Sequence, residues 1–263
     1  MIVRPRDRGR SRISGLRREP QIKQCTELPV KAVVTGASSG IGKALSVELV
    51  KHGFEVLGAA RSEQALHALQ EELGQRFRYV VADLSKLEGV ERVAQAAREL
   101  GSVDVLVNNA GFGLYKRLLD HTDEELADMI MVNCVAPIAL VRKLVTLMRR
   151  GSFVVNVVTA GVHVLMTKLP AYGASKIALH YATEALRREL KPLGIRVVAV
   201  YPGYIATAFH ERAGGAPSRV KPIQPERVAE AVVKAVLSGK ERVYIPGYAA
   251  FLRVFGPHLL PLS

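Results

Sequence analysis

The chain divides into short apolar runs separated by longer stretches of helical periodicity. Strand-like runs fall at residues 30–34, 55–59, 77–81, 103–107, 153–157 and 196–200. They are apolar almost throughout rather than alternating, which is the pattern of strands covered on both faces. Helical patterns lie between them, and a last helix near 225–237 leads into a short run at 242–245. Strand and helix in alternation predict an α/β fold, a doubly wound parallel sheet built as a single domain. No internal repeat and no second domain is evident in the pattern.

Composition changes this picture only at the two ends. A length of 263 residues with 49% hydrophobic content suits one domain with a large core. The formal net charge of +13 would suit a nucleic-acid partner, but its distribution does not. Residues 1–28 hold eight cations (Arg4, Arg6, Arg8, Arg10, Arg12, Arg17, Arg18, Lys23) against Asp7, Glu19 and Glu27, a net +5, and the rest is thinly spread. With no interleaved aromatics and no recognition motif, nucleic-acid binding is not expected. That arm lacks hydrophobic periodicity and reads as disordered; a plain tail and an organelle leader are the two readings, and its few apolar residues favour the tail. The folded, cofactor-binding domain is expected over 29–263. No uninterrupted apolar run approaches the ~18–20 residues of a membrane span. Cys25 and Cys134 give neither a disulfide framework nor a metal cluster, so a reducing, cytoplasmic setting and no metal are expected. From about 246 the tail is apolar (Tyr248, Phe251, Leu252, Val254, Phe255, Leu259, Leu260, Leu262), interrupted by Pro257 and Pro261. It is expected to pack on its own domain or on a partner subunit, with a peripheral membrane contact as the alternative.

Candidate chemistry lies in two places. After the first apolar run comes Thr35-Gly36-Ala37-Ser38-Ser39-Gly40-Ile41-Gly42, then a helical pattern to about His52. Strand, glycine-rich turn and helix in this order set backbone N–H groups against a phosphate, as in Rossmann-type domains. The spacing is G-x-x-x-G-x-G. It is not a P-loop, because Ala37 and Ala44 stand where that motif needs Gly and Ser or Thr around Lys43. Further on, Tyr172-Gly173-Ala174-Ser175-Lys176 opens a helical pattern over 171–193. Tyr172 and Lys176, four apart, share a helix face. An ammonium beside the phenol is expected to lower its pKa from about 10 and let it exchange a proton near neutrality.

These blocks resemble the short-chain dehydrogenase/reductase superfamily over roughly residues 30–245. T-G-A-S-S-G-I-G is similar to its cofactor loop and Y-G-A-S-K to its active-site pattern. Asn108-Asn109-Ala110-Gly111 follows an apolar run as the family's N-N-A-G block does, and Pro202-Gly203 with Thr207 is similar to its P-G-x-x-x-T. The branch of steroid and retinol dehydrogenases is the most similar in its later helix. The resemblance implies cofactor contacts from Thr35, Gly36, Ser38, Ser39, Gly40, Ile41, Gly42, Asn109, Ala110, Gly111, Tyr172, Lys176, Pro202, Gly203 and Thr207. Asp83, with Leu84 beside it, would meet the adenine. Ala60 falls where NAD-preferring members carry Asp, and Arg61 follows it, which favours NADP(H) through its 2′-phosphate.

The implied catalytic set is Asn133, within the helical stretch expected over about 123–148, with Thr159, Tyr172 and Lys176. Thr159 lies thirteen residues before the tyrosine, where most members have serine; it keeps the hydroxyl and adds a methyl. Tyr172 would protonate a carbonyl oxygen held by Thr159. Lys176 would tune the phenol and bind the ribose, and Asn133 would hold a water leading to Lys176. The expected protein is an NADP(H)-dependent oxidoreductase interconverting a small-molecule carbonyl and alcohol, as a homo-oligomer (dimer or tetramer). The alternative is an NADP(H)-binding regulator with little turnover. Candidate pocket segments are 112–115, 162–169 and 204–222; Phe112, Leu114, Val164, Leu165 and Met166 point to a lipophilic substrate. His163 and His210 are read as structural or solvated.

Overall fold

Seven parallel strands carry the fold: β1 (Lys31–Thr35), β2 (Glu55–Ala60), β3 (Phe77–Val81), β4 (Val105–Asn108), β5 (Phe153–Val157), β7 (Arg196–Pro202) and β8 (Arg242–Ile245). The computed structural model of the chain describes residues 30–215, 221–255 and 261–262. The basic arm, part of the predicted pocket segment 204–222 and part of the apolar tail (256–260 and 263) therefore lie outside the described residues. The strand order is β3-β2-β1-β4-β5-β7-β8, so the sheet grows outward in both directions from β1 and β4. A crevice opens at the carboxyl ends of the strands at such a reversal, which is where α/β sheets bind ligands.

The helices are α1 (Gly40–Lys51), α2 (Glu63–Leu73), α3 (Leu87–Glu99), α4 (Asp123–Ile130), α5 (Ala136–Leu144), α6 (Pro170–Leu190), α7 (Phe209–Arg212), α8 (Pro225–Ser238) and α9 (Leu252–Phe255). Each strand feeds both faces of the sheet. Ala32 and Val34 pack with Leu45 and Leu49 of α1 and with Val228 and Val232 of α8, whereas Val33, between them, packs with α3 and α5 through Val90, Val93 and Leu140. Two cores sharing one sheet explain why the strands are apolar at consecutive positions.

The structure departs from the predicted elements in three places. The single helix expected over 123–148 is interrupted by a π turn, Met131–Val135. The helix of the Tyr172 motif ends at Leu190. A two-stranded parallel sheet pairs β6 (Leu165–Met166) with β9 (Pro261–Leu262), so the chain end returns to the segment following β5. The stretch Asp123–Leu147 is long and apolar enough to cross a membrane by length and composition, but half of its apolar window is buried. Ala136, Leu140 and Leu144 of that stretch belong to the core, so it is read as a core helix. Of the tail, Tyr248, Phe251 and Val254 are exposed.

Candidate active site

The glycine-turn end of the crevice is tied together from behind. Thr35, buried at the end of β1, donates to the Val107 carbonyl at 3.3 Å and accepts from the N–H groups of Asn109 and Ala110, each at 3.0 Å. Asn109 returns a bond from Nδ2 to the Thr35 carbonyl at 2.9 Å. The turns after β1 and β4 are thereby locked side by side. Ser39 precedes α1 but its side chain makes no capping bond, and no acidic residue occupies the helix's first turn. The partial positive charge of that terminus is left available to an anion. A Cβ on Gly40 would lie 2.9 Å from Thr207 Cγ2, so a side chain there would fill the cradle between turn and cleft. Arg61 is exposed just past β2, and Ser62 caps α2 by accepting from Ala65 N at 3.4 Å. Asp83 accepts from the Ser85 N–H at 3.0 Å, beside the buried Leu84.

At the other end, α6 opens with Pro170 in its first turn and carries Tyr172 and Lys176 one turn apart. Lys176 is only 3% exposed, and its ammonium donates to the Val157 carbonyl at 2.9 Å. Burial pulls its pKa down from 10.5 to about 8. The expectation that Lys176 lowers the pKa of Tyr172 is corrected here. The phenol is shifted upward, because burial penalises the phenolate more than a hydrogen bond from Thr159 stabilises it. Thr159 Oγ1 also donates to the Pro202 carbonyl at 3.3 Å and accepts from Gly161 N at 3.2 Å. Its one hydroxyl hydrogen can serve Pro202 or a phenolate, not both.

Asn133 does not reach the cleft. The π turn directs its fully buried side chain at the segment after β4, where Oδ1 accepts from Phe112 N at 3.0 Å and Nδ2 donates to Phe112 O at 2.8 Å. Nδ2 also donates to Ser175 Oγ at 2.9 Å. These bonds use both Nδ2 hydrogens and one of the two Oδ1 lone pairs. Gly111 shows how tightly this corner is packed: a Cβ there would lie 2.9 Å from Asn133 Oδ1 and 3.2 Å from Lys176 Nζ.

Both ends open into one cleft of about 1800 Å³. Small-molecule pockets usually hold about 300–1,000 Å³, so this one is large enough for a dinucleotide and a second molecule. Of the predicted residues, Gly36, Ser38, Ser39, Gly40, Ile41, Arg61, Asp83, Leu84, Asn109, Ala110, Gly111, Thr159, Tyr172, Lys176, Pro202, Gly203 and Thr207 line it. Thr35, Gly42 and Asn133 do not, and support it from behind. Phe112, Leu114, Val164, Met166 and Phe209 make much of the wall apolar. Phe209 lies over the phenol, with ring centres 5.2 Å apart. His163 is buried, 3.0 Å from the Tyr244 hydroxyl, in keeping with its structural reading. His210 differs: it lines the cleft with Nδ1 3.0 Å from the Tyr115 hydroxyl, and burial lowers its pKa. Phe209 and Arg212 also line the cleft, and neither was singled out from sequence because both sit in what reads as a loop. Among the described residues no group of His, Cys, Asp and Glu could hold a metal.

Sheet order, glycine turn and cleft together define a dinucleotide-binding oxidoreductase architecture. The model of the short chain dehydrogenase family matches residues 30–216, and the chain belongs to that family. It is 32% identical over 209 residues to an uncharacterized oxidoreductase of Staphylococcus aureus, covering 78% of this chain and 90% of the relative. Two solved structures are similar. A short-chain dehydrogenase from Sphingobium yanoikuyae in complex with NADPH superposes with a TM-score of 0.77 at 26% identity, covering 85% of this chain and 90% of that one. An alcohol dehydrogenase from the archaeon Thermococcus sibiricus, complexed with 5-hydroxy-NADP, gives 0.72 at 30% identity, covering 82% and 94%. The chain is thus an oxidoreductase of a family that binds a nicotinamide cofactor. Its residues fit one: a glycine cradle, an uncapped helix terminus and the exposed Arg61 and Arg212 all line the cleft.

Proposed function

We propose that this chain is an NADP(H)-dependent oxidoreductase that interconverts a lipophilic ketone or aldehyde and its alcohol. The observation that carries the reading is the convergence of Tyr172, Thr159 and Lys176 on one cleft that Phe112, Leu114, Val164, Met166 and Phe209 also line. The cofactor, when bound, supplies or accepts the hydride. In the reducing direction the Tyr172 phenol gives its proton to the carbonyl oxygen, and the Thr159 hydroxyl steadies that oxygen by turning away from Pro202. A phenol whose pKa is held up by burial favours keeping its proton until negative charge develops next to it. Lys176 bears positive charge below about pH 8 and then stabilises the phenolate left behind. Asn133 acts as a positioning residue, fastening Phe112, after β4, to Ser175 of α6. Gly36, Ser38, Ser39, Gly40, Ile41, Asn109, Ala110, Gly111, Pro202, Gly203 and Thr207 form the nucleotide's bed, with Asp83 and Leu84 at its adenine end.

For the 2′-phosphate form, Arg61 and the absence of a carboxylate at Ala60 are the support within this chain. The NADPH and 5-hydroxy-NADP bound to the two similar structures support the same reading. Exposed Ile130, Val135, Ile177 and Tyr181 on the neighbouring α4–α5 and α6 support a homo-oligomer, and the free thiol Cys134 suits a reducing, cytoplasmic setting. The test is cofactor oxidation against a panel of long-chain, steroidal and retinoid carbonyls, with NADPH and NADH in parallel. Turnover with NADPH on apolar substrates is expected. Tight NADPH binding without turnover on any of them would favour the regulator instead.

A further inference from the structure

We infer that Arg212 is a ligand for a phosphate of the bound nucleotide, so that the cofactor itself fastens the roof of the cleft over Tyr172. The inference rests on the nicotinamide-nucleotide reading of the cleft but not on the choice between NADP(H) and NAD(H).

Residues 207–212 bridge the two halves of the site. At one end Thr207 packs against Gly40, so closely that a Cβ on the glycine would lie 2.9 Å from Thr207 Cγ2. At the other, α7 lays Phe209 on the phenol ring, 5.2 Å centre to centre, and brings His210 within 3.0 Å of the Tyr115 hydroxyl. The Tyr115 N–H donates to the Ala213 carbonyl at 2.7 Å, anchoring the far end of the roof to the segment after β4. The roof is therefore bonded at its Tyr115 end. From Thr207 onward its glycine-turn end is held by van der Waals contact and by Arg212, with Ala206 just before it donating to the Ile223 carbonyl at 2.8 Å.

Arg212 is exposed, lines the cleft, and forms no ion pair among the described residues. Its polar contact is with Ser39 Oγ, where Nη2 donates across 3.4 Å. That is longer than the usual 2.7–3.2 Å of an N–H···O bond, and it engages one of five guanidinium donors with a neutral hydroxyl. Ser39 is the uncapped residue at the start of α1. A cation held this loosely against the phosphate-binding turn matches a dianionic pyrophosphate or a 2′-phosphate, to which a guanidinium can give two parallel bonds. Arg61 stands after β2 rather than on the roof, so the two arginines would grip the nucleotide from different elements. Filling that contact completes the roof's attachment at the glycine-turn end and seats Phe209 over the substrate pocket.

Two measurements on the full chain without substrate test this. The first is the Kd of NADPH and of NADH for wild type, R212A, R212Q and R212K, by calorimetry. Loss of charge-assisted bonds should weaken NADPH by about 10–150-fold in R212A and R212Q, with partial recovery in R212K. An equal loss for NADH assigns the contact to the pyrophosphate, and a loss confined to NADPH assigns it to the 2′-phosphate. The second is hydrogen exchange over 207–213, which NADPH should slow in wild type and much less in R212A. An NADPH affinity within about twofold of wild type in both R212A and R212Q overturns the inference, as does equal protection of 207–213 with and without the arginine. If wild type itself binds neither nucleotide, the proposed function fails first, which separates the two outcomes.

Discussion

Lys176 stands one helical turn from Tyr172, yet its ammonium lies 5.9 Å from the centre of the phenol ring and gives its hydrogen bond to the Val157 carbonyl. The pair is held close without being bonded, the lysine buried and the tyrosine half-buried at the cleft wall. Desolvation moves the two pKa values in opposite directions, down for the lysine and up for the tyrosine.

Stability of the unliganded protein should therefore depend on pH with two signs. Between about pH 8 and 10.5 the unfolded chain keeps a proton on Lys176 that the folded chain has released, so stability rises with pH. The shift corresponds to roughly 3 kcal/mol, attained in full only above 10.5. Above about pH 10 the folded chain retains a proton on Tyr172 that the unfolded chain loses, and the trend reverses. Thermal midpoints from pH 7 to 11 for wild type and Lys176→Met give the comparison. The rise from 8 to 10 should be present in wild type and flattened in the variant; a flat wild-type curve sinks the burial argument.

Tyr172→Phe should abolish turnover while leaving NADPH affinity within about threefold of wild type, a difference of only about 0.7 kcal/mol. The phenol is assigned to the substrate oxygen, and its ring packing against Phe209 survives the change. Steady-state rates paired with binding calorimetry decide this. Activity above a few per cent of wild type would remove Tyr172 as the proton donor.

At Thr159 the hydroxyl matters and the methyl does not, so Thr159→Ser should keep most of the activity. Thr159→Ala should lose about 10²–10³ in kcat, the usual cost of removing one oxyanion donor. It also frees the Pro202 carbonyl and the Gly161 N–H from their partner, so melting curves should accompany the kinetics. An alanine variant as fast as wild type would take Thr159 out of the site.

Arg61→Ala should weaken NADPH by about 10–150-fold through loss of a charge-assisted bond and leave NADH almost untouched. Ala60→Asp in the same background should move preference further toward NADH by repelling phosphate and accepting from the ribose. Equal weakening of both nucleotides would assign Arg61 to the fold, and a wild-type preference for NADH would sink the cofactor assignment.

The sheet was legible because its strands announce themselves by composition: Val154 and Val155, adjacent in β5, are both buried, one in each core. The glycine turn and the Tyr172–Lys176 pair were legible because spacing alone places them at a helix start and on one helix face. Solvation was not legible in that spacing. The direction of the Tyr172 shift depends on how completely Phe209, Thr159 and the turn after β4 enclose the ring, which only tertiary packing sets. Arg212 and Phe209 fall inside the predicted pocket segment 204–222, but nothing singles them out within it, because α7 is four residues long, too short for any period to show. The position of Asn133 was apparent from its place in a helical stretch, but not the π turn that aims it, since Met131–Val135 is an unremarkable helical sequence.

That π turn also fixes a phase relation along the chain. A π turn accommodates one residue more than the regular helix around it, and each residue of an α-helix accounts for about 100° of rotation. Winding Met131–Val135 as regular α-helix instead would give an unbroken rod in place of α4 and α5. It would also rotate everything downstream by about that angle against everything upstream. With α4 held in place, Ala136, Leu140 and Leu144 would swing off the sheet and the exposed Arg142 would turn toward it. With α5 held instead, it is the Thr122–Glu125 capping box that would lose its place. The spare residue thus acts as a phase shifter, letting one helical rod serve a sheet and an active-site wall that are out of step with each other.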